Sequence, residues 1–464
     1  MISPGSVRRW TWLRGSVVAP LVMLTLIAPR LIAAAPAGDL PQAARQAIPS
    51  AGAPPFVKQF EETSYYLEDV AFVTKDMAWA AGQVHWDNNR KQYVGTIVKS
   101  TDGGETWTPH DAGVNESLRG LSVLDEKQGW AVGANGTIVH SADGGLHWSK
   151  QAVDTSDDFR DVVFVDANNG WATSIKTVHR DERTQEPDDW QGSIWHTGDG
   201  GTTWVRQSLP EGASLLNRLD FVDEKRGWAV GLKRVGQDAL GPKHSAAIYR
   251  TTDGGQHWNW VDTGVEGPLG WSKSPMGDLE FTDAQHGVVA GGAGLVLGTE
   301  DGGAHWSKQE LVCGYPSCNF PLYALDLFEE RHGGIAGQEY FYTSDGGARW
   351  SMMELPFGTT VGLYDIQFTG AQQGWMVGDH GVVVHSGDGG HFWKPVQSGL
   401  LDPLFGLYFV NPQRGWFVGD YGSIVRYSSS EAPTGPAQFL SPIWRPGQAA
   451  SLGPGLGVQI IYVP

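Results

Sequence analysis

Residues 118–148 read LRGLSVLDEKQGWAVGANGTIVHSADGGLHW. Three short apolar runs, LRGLSVL, GWAVG and GTIVHS, are separated by charged or glycine-bearing turns, and the stretch ends in SADGGLHW (141–148). Runs of this length, rich in valine, isoleucine and tryptophan and bounded by turn residues, predict β-strands joined by hairpins. We designate them strands A, B and C, with strand D starting near Trp148 after the DGG turn. Taken alone, an aspartate beside two glycines, with His147 and Trp148 behind it, passes for a small acidic site. Its recurrence decides otherwise.

Seven copies occur: STDGGETW (100–107), SADGGLHW (141–148), TGDGGTTW (197–204), TTDGGQHW (251–258), TEDGGAHW (299–306), TSDGGARW (343–350) and SGDGGHFW (386–393). Their aspartates, Asp102, Asp143, Asp199, Asp253, Asp301, Asp345 and Asp388, lie 41, 56, 54, 48, 44 and 43 residues apart. A catalytic group is not needed seven times, whereas this spacing marks an array of like supersecondary units. In such a turn the carboxylate accepts from backbone N–H groups, the glycine pair supplies positive φ, and the Ser or Thr hydroxyl adds a local bond. The tryptophan is expected to fold back over the turn. Strand B carries a second signature, Trp79, Trp130, Trp171, Trp228, Trp375 and Trp416, with Val288 and Ile335 read at the equivalent places. Large apolar residues there suit packing between neighbouring sheets.

A-B-C strand sets begin near Leu67, Leu118, Phe159, Leu219, Leu279, Leu325, Leu363 and Phe405, so the count favours eight units over seven. The last, LFGLYFVNPQRGWFVGDYGSIVRYSSS (404–430), has no DGG turn, and an orphan strand, PFVKQFEETSYY (55–66), precedes the first unit. If the orphan supplies strand D to the last sheet, the chain closes on itself as one all-β propeller of four-stranded antiparallel blades, with no bare edge.

The Ser/Thr-x-Asp-x-Gly-x-x-Trp motif, coupled to GWAVG-type and G-x-I-V-x-S strands, is that of Asp-box (BNR) repeats. Over residues 56–428 the chain resembles the photosystem II stability and assembly factor family of β-propellers. The resemblance implies a non-enzymatic scaffold that holds a protein partner of a membrane or envelope complex. It also implies an arginine patch on one propeller face, carried here by Arg119 and Arg160 near the start of strand A, with Arg218 displaced by one. The other reading of these arginines is pairing with a neighbouring acid such as Asp158 or Asp161.

In a propeller the B–C and D–A connections share one face, and here they hold nearly all the long insertions: 83–94, 175–191, 232–246, 261–277 and 307–323. Variable loops on a rigid frame are where recognition usually resides. Trp86, Arg90, Arg180, Arg183, Trp190, Lys233, Arg234, Trp271 and Tyr315 are therefore the candidate binding residues of that face. Cys313 and Cys318, the chain's 2 cysteines, are expected to form a loop-pinning disulfide. No histidine spacing suggests a metal cage, and no cofactor or catalytic set is expected. The alternative is an Asp-box glycoside hydrolase, drawing on the carboxylates Asp181, Glu182, Glu186, Asp188 and Asp189.

The first 35 residues combine Arg8, Arg9 and Arg14, an apolar run from Val17 to Ala28, and small residues at Ala33 and Ala35, the order of parts in a secretory signal. Cleavage there leaves 29 basic against 51 acidic residues, a balance of −22 that disfavours nucleic acid as partner. No cysteine stands at the cleavage site, which argues against a lipid anchor, and an exported, extracytoplasmic protein is expected. Residues 36–55 read as a flexible linker and 429–464 as a Pro/Gly-rich tail whose VQIIYV end has β character.

Overall fold

A computed structural model of the chain describes residues 67–428, apart from 75, 88, 105, 181–186, 239–240, 262, 264–275, 284, 316, 329–331, 357–360, 397–399 and 420–422, together with 457–462. Eight sheets follow one another along the chain, each with four antiparallel strands ordered A-B-C-D. Their A strands are Leu67–Phe72, Leu118–Val123, Asp158–Phe164, Ala213–Phe221, Met276–Phe281, Leu322–Phe328, Leu363–Phe368 and Leu404–Asn411. Each A strand touches the A strand of the next sheet and the eighth touches the first, so the sheets are blades 1 to 8 of a closed ring whose inner strands line the central channel. The expected eight-bladed propeller is the fold.

The closing device differs from expectation. Strand D of blade 8 is the C-terminal segment Gly457–Tyr462, antiparallel to Ser423–Ser428, and not the N-terminal segment 55–66, which lies outside the described residues. GVQIIY is uncharged and β-branched, whereas 55–66 contains Lys58, Glu61 and Glu62, so the tail is the better covering for an apolar strand edge. The ring itself is sealed by side chains. Trp416, Val418 and Ile424 of blade 8 share one buried cluster with Leu67, Val70, Ala80 and Trp107 of blade 1, and the Arg414 guanidinium donates to the Gly103 carbonyl at 2.7 Å.

The Asp-box turns are built as their residue types require. Ser141 Oγ donates to Asp143 Oδ1 (3.0 Å) and accepts from Gly145 N–H (2.8 Å), while Asp143 accepts from His147 N–H (2.9 Å). Gly144 and Gly145 sit at φ of 77° and 83°, where a Cβ would be strained. The turn is tied to the A–B turn of its own blade by Gly144 N–H donating to the Lys127 carbonyl at 2.8 Å.

The core lies between blades. Among the described residues each of the eight blade interfaces holds a buried apolar cluster of its own, and the strand-B tryptophan is the common member of six. Inner strands are also bonded to each other: Asp161 accepts from Leu219 N–H at 3.0 Å, Asp365 from Leu407 N–H at 2.6 Å, and Asp326 from Phe368 N–H. These buried carboxylates are therefore satisfied by backbone donors of the next blade. In blade 6 the register places Gly334, not Ile335, at the tryptophan position, because Gly334 faces Asp326 as Trp130 faces Ser122.

Three of the enlarged B–C connections are not loops. They extend strands B and C into long hairpins, Ala78–Asp87 with Gln92–Ser100, Gly170–Arg180 with Pro187–Thr197, and Gly227–Asp238 with Gly241–Thr251. The connection 307–323 adds Glu310–Val312 as a fifth strand, parallel to strand D of blade 6, before the Cys313–Cys318 disulfide closes the returning loop.

Candidate binding mouth of the channel

Every inner strand breaks register near its start, that of blade 4 twice, at the end of the channel where the long hairpins lie. The displaced residues are Glu68, Arg119, Arg160, Asn217, Gly277, Tyr323, Tyr364 and Phe405. A bulge of this type re-aims one side chain per strand. Leu118 and Gly120 are buried in the blade while Arg119 between them is half-buried, and the same holds for Arg160, Tyr323, Tyr364 and Phe405. The eightfold ring sets Arg119 across the channel from Tyr323, and Arg160 across from Tyr364.

The aromatic arc is continuous. Tyr323 and Tyr364 have ring centroids 5.6 Å apart, as do Tyr364 and Phe405, with interplanar angles of 49° and 48°. Tyr364 Oη donates to Asp379 Oδ1 at 2.6 Å, and Asp379 Oδ2 accepts from Gly362 N–H at 3.1 Å, which fixes the ring from the B–C turn of its own blade. Burial, and then the Asp379 charge, push the Tyr323 hydroxyl up from its ordinary value, so it stays a neutral donor.

On the opposite side, Arg119 Nη1 lies 3.2 Å from Asp158 Oδ2, the first residue of the next inner strand. Pairing with a neighbouring acid therefore holds for Arg119. It does so at the mouth, with the arginine side chain 21% exposed, so pairing and display coexist. Asp161 is committed elsewhere, accepting from Val162 N–H and Leu219 N–H. The register puts Asn217 at the displaced position of blade 4, and Arg218 one residue further along, opposite Val230.

The hairpin residues of the expected binding face divide into two groups. Trp190 and Arg234 come together on the hairpins of blades 3 and 4: buried Asp189 accepts from Arg234 Nη1 at 2.8 Å and faces His244 Nε2 at 3.1 Å, and the Trp190 ring lies 6.1 Å from His244. Lys233 sits 3.6 Å over the Trp260 ring. Arg90 is held apart on blade 1 by Asp111 (2.6 Å) and Asp87 (3.6 Å), and Tyr315 packs edge-on against Phe320 in the disulfide loop. Trp86 stands opposite Tyr93 in its hairpin and Arg180 ends a strand. Arg183 and Trp271 lie outside the described residues. Among the described residues no three His, Cys, Asp or Glu side chains gather as metal ligands. The aromatic arc escaped sequence reasoning, which looked for arginines at strand starts and did not ask what the same register position carries in blades 6 to 8.

Residues 272–358, blades 5 and 6, match the family model described as photosynthesis system II assembly factor YCF48. The photosystem II assembly lipoprotein Ycf48 of Synechococcus sp. (strain CC9902) is 31% identical over 119 residues, 25% of this chain and 35% of the relative. The chain is a BNR-type propeller that resembles the Ycf48 assembly factors. The match spans about a third of that relative's length. Among solved structures, YCF48 bound to D1 peptide aligns at 21% identity and TM-score 0.46, over 68% of this chain and 92% of that one. Sqt1 of Chaetomium thermophilum aligns at 13% identity and TM-score 0.52, over 76% and 92%, a likeness of fold alone.

Proposed function

We propose that this chain is a non-enzymatic, exported scaffold that holds a polypeptide partner at the hairpin-rich mouth of its channel and serves the assembly or stability of a cell-envelope membrane complex. The observation that carries the reading is the ring of displaced inner-strand residues, which sets Arg119 and Arg160 side by side on neighbouring blades. The chain as a whole carries a charge of −18, and Arg119, though paired with Asp158, stands beside Arg160, so two guanidinium groups gather at one point of an acidic protein. Guanidinium groups suit the bidentate capture of a carboxylate. The hairpins of blades 1, 3 and 4 lie beside them, those of blades 3 and 4 joined by the Asp189–Arg234 ion pair and the Asp189–His244 contact. Similarity to the Ycf48 assembly factors supports the same role.

The test is crosslinking and co-purification from the native membrane fraction, with wild type against the double variant Arg119→Glu, Arg160→Glu. Loss of the captured partner, with the circular-dichroism spectrum and unfolding midpoint retained, is the expected result. Capture that survives the charge reversal overturns the assignment of the mouth. The hydrolase reading loses one of its carboxylates, since Asp189 is 2% exposed and engaged by Arg234 and His244. Turnover of fluorogenic glycosides or plant glucans, abolished by a single carboxylate substitution, would reverse the ranking.

A further inference from the structure

Six of the eight blade interfaces hold a strand-B indole, three of them in one repeated set of neighbours, and the interface between blades 5 and 6 keeps only the box tryptophan of that set. Trp228 shows the filled form: it stacks on Phe281 of the next inner strand at 3.8 Å, Trp306 meets Phe281 edge-on, and the indole N–H donates to the Gly302 carbonyl at 3.2 Å. Trp130 and Trp171 repeat it with Phe164 and Phe221, donating to Gly200 and Gly254 at 3.1 Å each. There His140 and His196 cover the indole's other face, and the amides of Gln151 and Gln207 reach the same two carbonyls.

Between blades 5 and 6 the indole, its stacking ring and its covering side chain are smaller and the amide is turned away. Val288 stands at the indole position and Gly298 faces it in register where the covering histidine would be. Leu327, opposite Gly333, stands where Phe281 stands opposite Gly287. The Gln309 amide turns back to its own strand, donating to Ser307 at 3.1 Å. Blade 6 also lacks the tryptophan, at Gly334, but there the Tyr340 ring takes the space, 2.8 Å from where a Gly334 Cβ would stand. Blade 5 has Val296 at the place of Tyr340, and the box turn of blade 6 covers one side of Val288 through Gly347 and Trp350. The box tryptophan of blade 6, Trp350, is fully buried in the cluster below and is not part of the cavity wall.

What remains is an open cavity of about 720 Å³ on the Asp-box face, walled by Val288, Leu327 and Trp306, with Gly346 and the carboxylates Asp301 and Asp345 at its edge. That volume lies in the range of small-molecule sites, and the lining pairs an apolar patch that suits a flat ring with the polar groups of His286, His305 and His332 around it. We propose that this cavity binds a planar aromatic group bearing a ring N–H, of the indole class, seated as the other interfaces seat their own tryptophan, with its N–H toward the Gly346 side. The group can arrive as a free small molecule or as a tryptophan side chain of a partner. The proposal is independent of the channel mouth, which opens on the other face.

The full chain is titrated calorimetrically with indole, with benzofuran (the same shape without the N–H) and with N-acetyltryptophanamide, as wild type and as Val288→Trp and Leu327→Phe variants. Expected are saturable indole binding to wild type, benzofuran weaker by about fivefold for the lost hydrogen bond, and no binding to Val288→Trp, whose unfolding midpoint rises. Leu327→Phe, a smaller change that keeps the test open if Val288→Trp misfolds, weakens indole by about tenfold or more. Binding of N-acetyltryptophanamide as tight as indole assigns the site to a side chain; binding of indole alone assigns it to a free molecule. Absence of saturable binding up to the solubility of indole, or equal affinity in wild type and the folded variants, overturns the proposal.

Discussion

The indole N–H of Trp130 in blade 2 donates to the carbonyl of Gly200 in the Asp-box of blade 3 at 3.1 Å. The two residues are 70 positions apart, and Trp171 and Trp228 repeat the bond, so in blades 3, 4 and 5 the motif is both a local turn and the acceptor that latches the blade to its predecessor. Trp130→Phe keeps the stack on Phe164 (3.6 Å) and loses the hydrogen bond, and should cost about 1 kcal/mol. Trp130→Ala also opens a cavity in a fully buried cluster and should cost about 3–5 kcal/mol. Urea unfolding of the two variants beside wild type measures the difference, and equal losses would show that the latch, not the packing, dominates.

Acid should unfold the ring through its Asp-boxes. The backbone N–H of His305 and then its imidazole hold the Asp301 carboxyl at about 2, against an ordinary 3.8, and His147 holds Asp143 lower still. A carboxyl depressed in the folded state stabilises the fold when ionised, so its contribution is complete above about pH 4 and drains as pH falls toward about 2. The double variant Asp143→Asn, Asp301→Asn should be less stable at neutral pH and show a flatter decline across that window, read as the urea midpoint at each pH.

His385 acts in a separate, higher window. Burial against Trp375, with Lys394 nearby, lowers its imidazole from 6.5 to about 4. The unfolded chain therefore binds the proton first: folding loses stability as pH falls from about 6.5 to about 4, by on the order of 3 kcal/mol, and no further below that. His385→Gln should flatten this slope, leaving the share of the other imidazoles that burial lowers, His140 and His196 among them, and the steeper loss at lower pH. A slope unchanged in the variant would locate the titration elsewhere.

Truncation after Ser428 removes Gly457–Tyr462 and leaves strand C of blade 8 as a bare edge. Unpaired edges invite intermolecular pairing. The truncated chain should elute as higher oligomers in size-exclusion chromatography and melt below wild type. A monomer with an unchanged melting temperature would mean that another segment covers that edge.

The eight-unit count and the disulfide of Cys313 with Cys318 were legible because their signals are local. The Asp-box is closed by bonds between residues two and four apart, as Ser141, Asp143, Gly145 and His147 show, so eight letters contain the whole turn. The tryptophan position of blade 6 was misread because a GGIAG strand carries no residue that fixes its register, and a slide of one exchanges Gly334 for Ile335.

Sequence alone thus determined the unit, its number and the role of the DGG corner, since each follows from hydrogen bonds within one short stretch of chain. Only the tertiary structure decided which terminus completes blade 8, that Tyr323, Tyr364 and Phe405 form one arc opposite the arginines, and that Val288, Gly298 and Leu327 open one cavity. These arrangements join residues tens of positions apart whose separate environments carry no mark of their meeting. They exist because the ring brings equivalent positions of successive blades to one level, where a change in size or charge is felt by its neighbour across the interface.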